Sequence, residues 1–252
     1  MRKFLSIFLV FALMLSLPVT AFAEDVSELP GGIDKGYKEY LKLVDDGVLG
    51  EDVTYEYWCD FVKQSALLEK KIEQTSDFHL VAELNSEDIA RPNLLISGSI
   101  WNYVSLQPGD ILITNGTSSW GIFGHAAIAL SRTEILHIAG PGKNPEVISP
   151  SKWEELYESK GWTRIYRHSN SSTARSAASW ASSTYRNSSA KYQITMNLAS
   201  TDVTYCSKLV WQAYRYGPSK SQCNTGITSP VLILPFGLPD EIKNISLIMT
   251  SE

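Results

Sequence analysis

The stretch Leu106 to Ala139, LQPGDILITNGTSSWGIFGHAAIALSRTEILHIA, decides how the rest of the chain is read. Pro108-Gly109 is a turn signal, and Asp110 to Thr114 follows as a short apolar, β-branched run of strand composition. Asn115 to Trp120 is polar and contains glycine, so it reads as a loop. Gly124-His125 opens a second run, Ala126 to Leu130. A third, Ile135 to Ile138, carries His137 and stops at Gly140-Pro141-Gly142. His125 and His137 stand twelve residues apart across a hairpin pattern, and paired strands can bring two such side chains together on one face.

Further along, Thr204 to Tyr214, TYCSKLVWQAY, places Cys206, Leu209, Val210 and Ala213 at helical spacing, with Asp202 or Thr204 available as N-cap. Cys206 then sits in the first turn, where free backbone amides and the positive end of the helix dipole favour a thiolate. Taken singly, each histidine also fits a hydrogen-bonded or surface role, and Cys206 fits a small buried hydrophobe. A first-turn cysteine together with two strand histidines points instead to nucleophilic catalysis.

Gly109-Asp110-Ile111-Leu112, Gly124-His125-Ala126-Ala127-Ile128 and His137-Ile138-Ala139 resemble the core hairpins of NlpC-type papain-like cysteine amidases. In the ordinary family the cysteine helix precedes these strands. Here Tyr205-Cys206-Ser207-Lys208-Leu209-Val210 follows them, an order similar to the circularly permuted branch that includes YiiX-like proteins and the lecithin-retinol acyltransferase group. The resemblance covers about residues 100 to 240. It implies an α+β, permuted papain-like fold: a small antiparallel sheet or half-barrel packed on the cysteine-bearing helix, with N-terminal helices added. It also implies Cys206 as nucleophile, His125 as base and His137 as the residue orienting that base, with Glu134 as an alternative orienter.

A thiol needs such a base at neutral pH, and the base needs an acceptor that fixes its tautomer. Attack on a carbonyl would give a thioester through an oxyanion, with the Cys206 amide as one donor. The second donor is not identifiable from sequence. Tyr205, Trp120 and Phe123 are candidate substrate contacts beside the nucleophile and the base. Asp110 reads as a turn stabiliser. The chemistry calls for no metal or organic cofactor, and no Cys-x-x-Cys or His-Glu-x-x-His pattern is present.

Residues 1–23 read as a secretory signal peptide: Arg2 and Lys3, the apolar run Phe4 to Leu17, then Ala21-Phe22-Ala23 as the cleavage site. The run is short for a membrane span and Pro18 interrupts it, so no stable membrane insertion is expected after cleavage. The expected location is outside the cytoplasm: secreted, in the cell wall or in the periplasm. Losing Arg2 and Lys3 takes the net charge from −5 to −7, with 20 basic side chains against 27 acidic ones, which argues against a nucleic-acid partner. Three cysteines are an odd number for an exported protein, so at least one stays free; a Cys59–Cys223 bridge is conceivable, and Cys59 on its apolar helix face reads as buried and unpaired. Oligomeric state is not legible.

Residues 24–100 form a helical N-terminal region, with helices expected over Lys35–Asp46 and Glu51–Gln74, and bracing the core is its expected role. His79 lies there among polar residues. Residues 101–252 form the catalytic domain. Within it, Glu146–Ile148 and Trp162–Arg167 read as strands and Ser151–Ser159 as a short helix. Ser171–Tyr185 is a small-residue helix, Tyr192–Met196 a further sheet edge, and Pro230–Pro239 an extended cover. His168 reads as a strand-end surface residue. The expected function is an exported cysteine hydrolase that cleaves amide bonds in peptidoglycan stem peptides, of the γ-D-glutamyl-diamino acid type. The alternatives are a lipid or N-acyl amide hydrolase or acyltransferase of the same fold, and a non-catalytic module binding wall peptides or a partner.

Overall fold

The computed structural model describes residues 32–74, 104–117 and 124–251. The leader, His79, Trp120 and Phe123 lie outside the described residues. The chain divides into two compact units at Lys42/Leu43. In the first lies most of helix α1 (Gly32–Asp45), where Tyr37 and Tyr40 stack at 6.1 Å. The second carries everything that follows.

Its centre is one six-stranded antiparallel sheet in the order β4-β3-β2-β1-β5-β8. The strands are β1 (Ile111–Thr114), β2 (His125–Ala129), β3 (Ile135–His137), β4 (Glu146–Ile148), β5 (Thr163–His168) and β8 (Ile245–Ser251). The three runs of the opening stretch are β1, β2 and β3. Each is buried at every position, because the sheet is covered on both faces. Leu112, Ala127, Ala129 and Ile165 pack on one face against Trp153 and Tyr157. Those two rings are carried by α3 (Pro150–Trp153) and a π-helical turn (Glu154–Glu158). Ser149 caps α3 by accepting from the Lys152 amide. The cover also includes α4 (Ser171–Tyr185), whose alanines Ala174, Ala177, Ala178 and Ala181 allow close approach, and α5 (Cys206–Tyr216), buried at nine consecutive positions from Cys206 to Tyr214.

The turn before β1 is pinned as its composition suggests. Asp110 accepts from the Gln107 amide at 2.8 Å and pairs with Arg167 at 2.7 Å. Gly109 has φ +93 and lies against the backbone of Ala174, so a side chain there would collide with α4.

Several expectations are corrected. The second helix, α2 (Tyr55–Gln74), begins four residues later than Glu51, where Thr54 accepts from the Tyr57 amide. Residues Tyr192–Met196 do not extend the main sheet. Only Lys191–Tyr192 (β6) is strand, and it pairs in parallel with Val203–Thr204 (β7) in a separate small sheet. The Pro230–Pro239 cover is extended only in part, turning into a 3₁₀ turn at Pro235–Gly237 and then α6 (Leu238–Glu241). His168 is buried, stacked on Tyr214 with its Nδ1 accepting from the Asn170 amide, so it closes the strand from inside. β8 was not foreseen; it pairs with β5 along its length and supplies the sheet's second edge. Cys59 and Cys223 are both free thiols, and Cys59 is half-buried.

Two glycines separate backbone strain from collision. Gly47 (φ +69) faces open space, whereas Gly109 faces Ala174. Gly47→Ala is expected to cost about 1 kcal/mol. Gly109→Ala adds overpacking and is expected to cost about 3 kcal/mol or more. Equilibrium denaturation of the two variants checks this, and equal losses would contradict the close packing of α4 on the turn.

Candidate active site

The site forms where β2 and β3 part. Their ladder pairs Ile128 with Leu136 and Ala129 with Ile135. Carried on, that register sets His137 opposite Ala127, diagonal to His125 on the same face. Diagonal neighbours are within reach of long side chains, and His125 Nε2 lies 3.0 Å from His137 Nδ1. Both rings are buried, His137 completely. His125 is stacked on Trp153 at 5.6 Å and on Tyr157 at 5.0 Å, which fixes its plane. Trp153 is itself anchored by its indole N–H on Thr163 Oγ1 at 3.1 Å.

Beyond the last β2–β3 pair, the backbone of Ala126 lies near the sulfur of Cys206 and helps pull the thiol pKa down. The thiol is thus held beside the residue that follows His125. Cys206 is the first residue of α5. The cap is Tyr205, not Asp202 or Thr204, and it makes no side-chain capping bond. The backbone of Cys206 and of Ser207 also acts on the sulfur, drawing its pKa down. Helix-end amides pull the thiol pKa down, but burial outweighs them and the net shift is upward. Burial also pushes His125 well below the usual histidine range, with the neighbouring His137 adding to the fall. Desolvation thus disfavours charge on both groups, against the thiolate that the helix N-terminus by itself favours.

Since His137 engages Nε2 of His125, Nδ1 is the nitrogen left to serve the thiol. Tyr157 places its hydroxyl 3.3 Å from the same His137 Nδ1. On the other side of His137, Nε2 is buried and has no hydrogen-bond partner; a Glu146 carboxylate oxygen stands 3.5 Å away. Glu134 is not an orienter. It forms a two-pronged pair with Arg186 at 2.8 and 2.9 Å.

Cys206, His125 and Tyr205 line one cavity of about 340 Å³, and His137 stands behind His125. The chamber wall is largely apolar. Val48, Trp58 and Phe61 come from the N-terminal side, Ile148 from β4, Leu156 from the π-helical turn and Pro235 from the C-terminal cover. Lys143, Lys152 and Lys160 add positive charge. Tyr205 is turned to structure at its tip, where its hydroxyl accepts from the Ile233 amide at 2.8 Å. Tyr192, absent from the sequence-based candidates, is half-buried on the same wall. Its phenol is held protonated by burial and by the nearby Cys206 and Tyr205. No motif marks it, since it reaches the site only through the β6–β7 pairing. Lys208 lies wholly buried two residues after Cys206, donates to Val203 O at 2.9 Å and has its pKa lowered to about 8 by burial. Among the described residues no group of three or more His, Cys, Asp or Glu could hold a metal ion, and no helix is long and apolar enough to cross a membrane.

Three comparisons bear on this arrangement. The family model of lipoprotein N-acylation protein LnsA-like sequences matches residues 78–245, more than half of the chain. A Bacillus thuringiensis protein described as an uncharacterized 30.3 kDa protein is 30% identical over 224 residues, 80% of this chain and 82% of its own. The crystal structure of metalloprotein YiiX from Escherichia coli O157:H7 aligns with 58% of this chain and 98% of its own, at 12% identity and a TM-score of 0.44. The family matched is the LnsA-like one, where the motifs had been likened to the NlpC type.

Buried neutral histidines make the fold acid-sensitive. The His137 pKa is lowered by burial to about 4 in the fold, against about 6.5 in an unfolded chain. The unfolded chain therefore binds the extra proton first as pH falls. Stability is fully present above about pH 6.5 and is lost down to about pH 4, by about 3 kcal/mol from this group. Urea midpoints at pH 7 and 4.5 should separate in the native protein and draw closer in His137→Asn.

Proposed function

The chain belongs to the lipoprotein N-acylation protein LnsA-like family, and from that premise we propose that it is a thiol acyltransferase that carries a fatty acyl group on Cys206. The observation that carries this reading is the largely apolar chamber around a buried nucleophile. An aliphatic chain gains about 0.8 kcal/mol per buried methylene in such a space, whereas a charged peptide would lose hydration there.

The steps follow from the residues. His125 Nδ1 removes the thiol proton as sulfur attacks the carbonyl carbon of an ester. The amide of Cys206 and the hydroxyl of Tyr192 donate to the oxyanion. Tyr192 suits this because its raised pKa keeps the proton on the phenol. The C–O bond breaks, the alcohol leaves with the proton from His125, and the acyl group remains as a thioester. An amine then attacks the thioester, His125 takes the amine's proton and returns it to sulfur, and an amide is released. The family's description names lipoprotein N-acylation, which supports an amine as acceptor. Water in place of the amine would give hydrolysis, and the closed chamber opposes that.

A second reading, amide cleavage in wall peptides by the same residues, draws support from Lys143, Lys152 and Lys160, which suit the carboxylates of a stem peptide.

Intact-protein mass spectrometry separates the two. Incubation with vesicles of an ester phospholipid should add one acyl mass, removable by hydroxylamine and absent in Cys206→Ala. No adduct, with a new amine and carboxylate released from muropeptides, would favour the second reading. In steady-state kinetics Tyr192→Phe should lower kcat on the order of a hundredfold with little change in KM; an unchanged kcat would remove Tyr192 from the oxyanion site.

A further inference from the structure

We propose that Glu146 is a positioning residue that sets the tautomer of His137 and, through it, the basicity of His125. The inference rests on Cys206 and His125 being nucleophile and base, and is independent of which acyl group they transfer. The β3–β4 register places Glu146 directly across from His137. Its carboxylate oxygen is 3.5 Å from His137 Nε2. That nitrogen is sealed from solvent and has no hydrogen-bond partner, and a buried polar group left so is costly. Glu146 is half exposed, with side-chain accessibility of 53%, so it can close the remaining gap without disturbing packed neighbours.

The other side of His137 decides the proton's place. Its Nδ1 faces His125 Nε2 at 3.0 Å and the Tyr157 hydroxyl at 3.3 Å, and His125 needs an acceptor there if its own Nδ1 is to receive the thiol proton. His137 Nδ1 must then be bare and Nε2 must carry the hydrogen, pointing at Glu146. The result is one directed line: His125 Nε2–H to His137 Nδ1, and His137 Nε2–H to the Glu146 carboxylate. When His125 becomes an imidazolium during attack, its positive charge is stabilised along this line by an anion at the cavity's edge. No new proton is consumed, since each ring keeps its own hydrogen. Such a device compensates a site in which burial otherwise opposes charge on the base.

The remaining charged or ionisable groups around the sulfur do not duplicate Glu146. Tyr157, Tyr192 and Tyr205 are all held protonated by burial. Lys143, Lys152 and Lys160 are positive and disfavour an imidazolium, although Lys152 is tied to Glu155 at 2.6 Å.

Two measurements on native protein, Glu146→Gln and Glu146→Ala test this. The first is long-range ¹H–¹⁵N NMR of the histidine rings, which reads the tautomer of His137 without any substrate. Native protein should show the Nε2–H form. Glu146→Ala should show a mixture or the Nδ1–H form, and Glu146→Gln, which keeps an acceptor, should retain Nε2–H. The second is the pH dependence of Cys206 alkylation by iodoacetamide, located by peptide mass spectrometry. Loss of the carboxylate in either variant should move the midpoint up by roughly one unit, and slow alkylation at pH 7 about tenfold. An unchanged tautomer in Glu146→Ala overturns the proposal. A changed tautomer with an unmoved alkylation profile overturns the link to the thiol. Native Cys206 alkylating no faster than Cys59 would instead overturn the reading of Cys206 as an activated nucleophile, while the tautomer result stands by itself.

Discussion

The hydrogen bond between His125 Nε2 and His137 Nδ1, at 3.0 Å, is the interaction on which the site depends. It spans the point where β2 and β3 stop pairing. Were the ladder to continue, the Ala126 amide would be available to β3 and not to the Cys206 sulfur. Parting the strands opens a notch for the first turn of α5, and the histidine bond holds the two strands in relation while the backbone ladder is interrupted. Trp153 and Tyr157 then press the His125 ring from the sheet's other layer, so one nitrogen faces His137 and one remains for chemistry.

This arrangement is dry, and dryness has two opposed effects. It raises the thiol pKa and lowers the imidazole pKa, so the site rests uncharged in spite of the helix amides around the sulfur. It also strengthens every donor aimed at a developing oxyanion. The site therefore spends little on holding an ion pair and makes its electrostatic gain as charge appears.

The placement of the candidate residues was legible in the sequence where local pattern determines position. His125 and His137 sit at strand positions marked by apolar runs and glycine turns, and Cys206 opens a helix marked by its apolar face. Asp110 could be read because a turn aspartate bonds its own neighbourhood, as it does here with the Gln107 amide. What escaped depends on long-range pairing. Tyr192 reaches the cavity only because β6 pairs with β7, and a two-residue parallel strand has no periodicity to detect. Glu146 was placed on a strand, but its position opposite His137 follows from the register across the Gly140-Pro141-Gly142 turn, and pairing outward from that turn could have found it. β8 reads ISLIMTS, with the β-branched content of a strand, yet its alternation is blurred because much of it is only half-buried at a sheet edge. The desolvation around Cys206 was not legible, because helix-end amides are visible in a sequence and burial of the sulfur is not.

The motif and the wall of the chamber carry different information. The motif sets a thiol and two bonded imidazoles at one cavity, and under the proposed roles such a set can break an amide or move an acyl group equally well. The wall comes from elsewhere. Trp58 and Phe61 belong to α2, and α2 is tied to the C-terminal cover by the Leu232 amide on Tyr57 at 3.0 Å and by Lys71 on Asp240 at 3.0 Å. The same cover is fastened to the catalytic helix by the Ile233 amide on Tyr205 and by the Ser207 hydroxyl on Ile233 O at 2.6 Å. Elements far apart in the chain thus close one apolar space directly over the nucleophile. Bracing alone would not require aromatic side chains of α2 to face the reacting sulfur's cavity. Their placement puts the N-terminal helix in the cavity wall, so that under the acyl-transfer proposal the choice between peptide and acyl chain would fall to residues outside the motif.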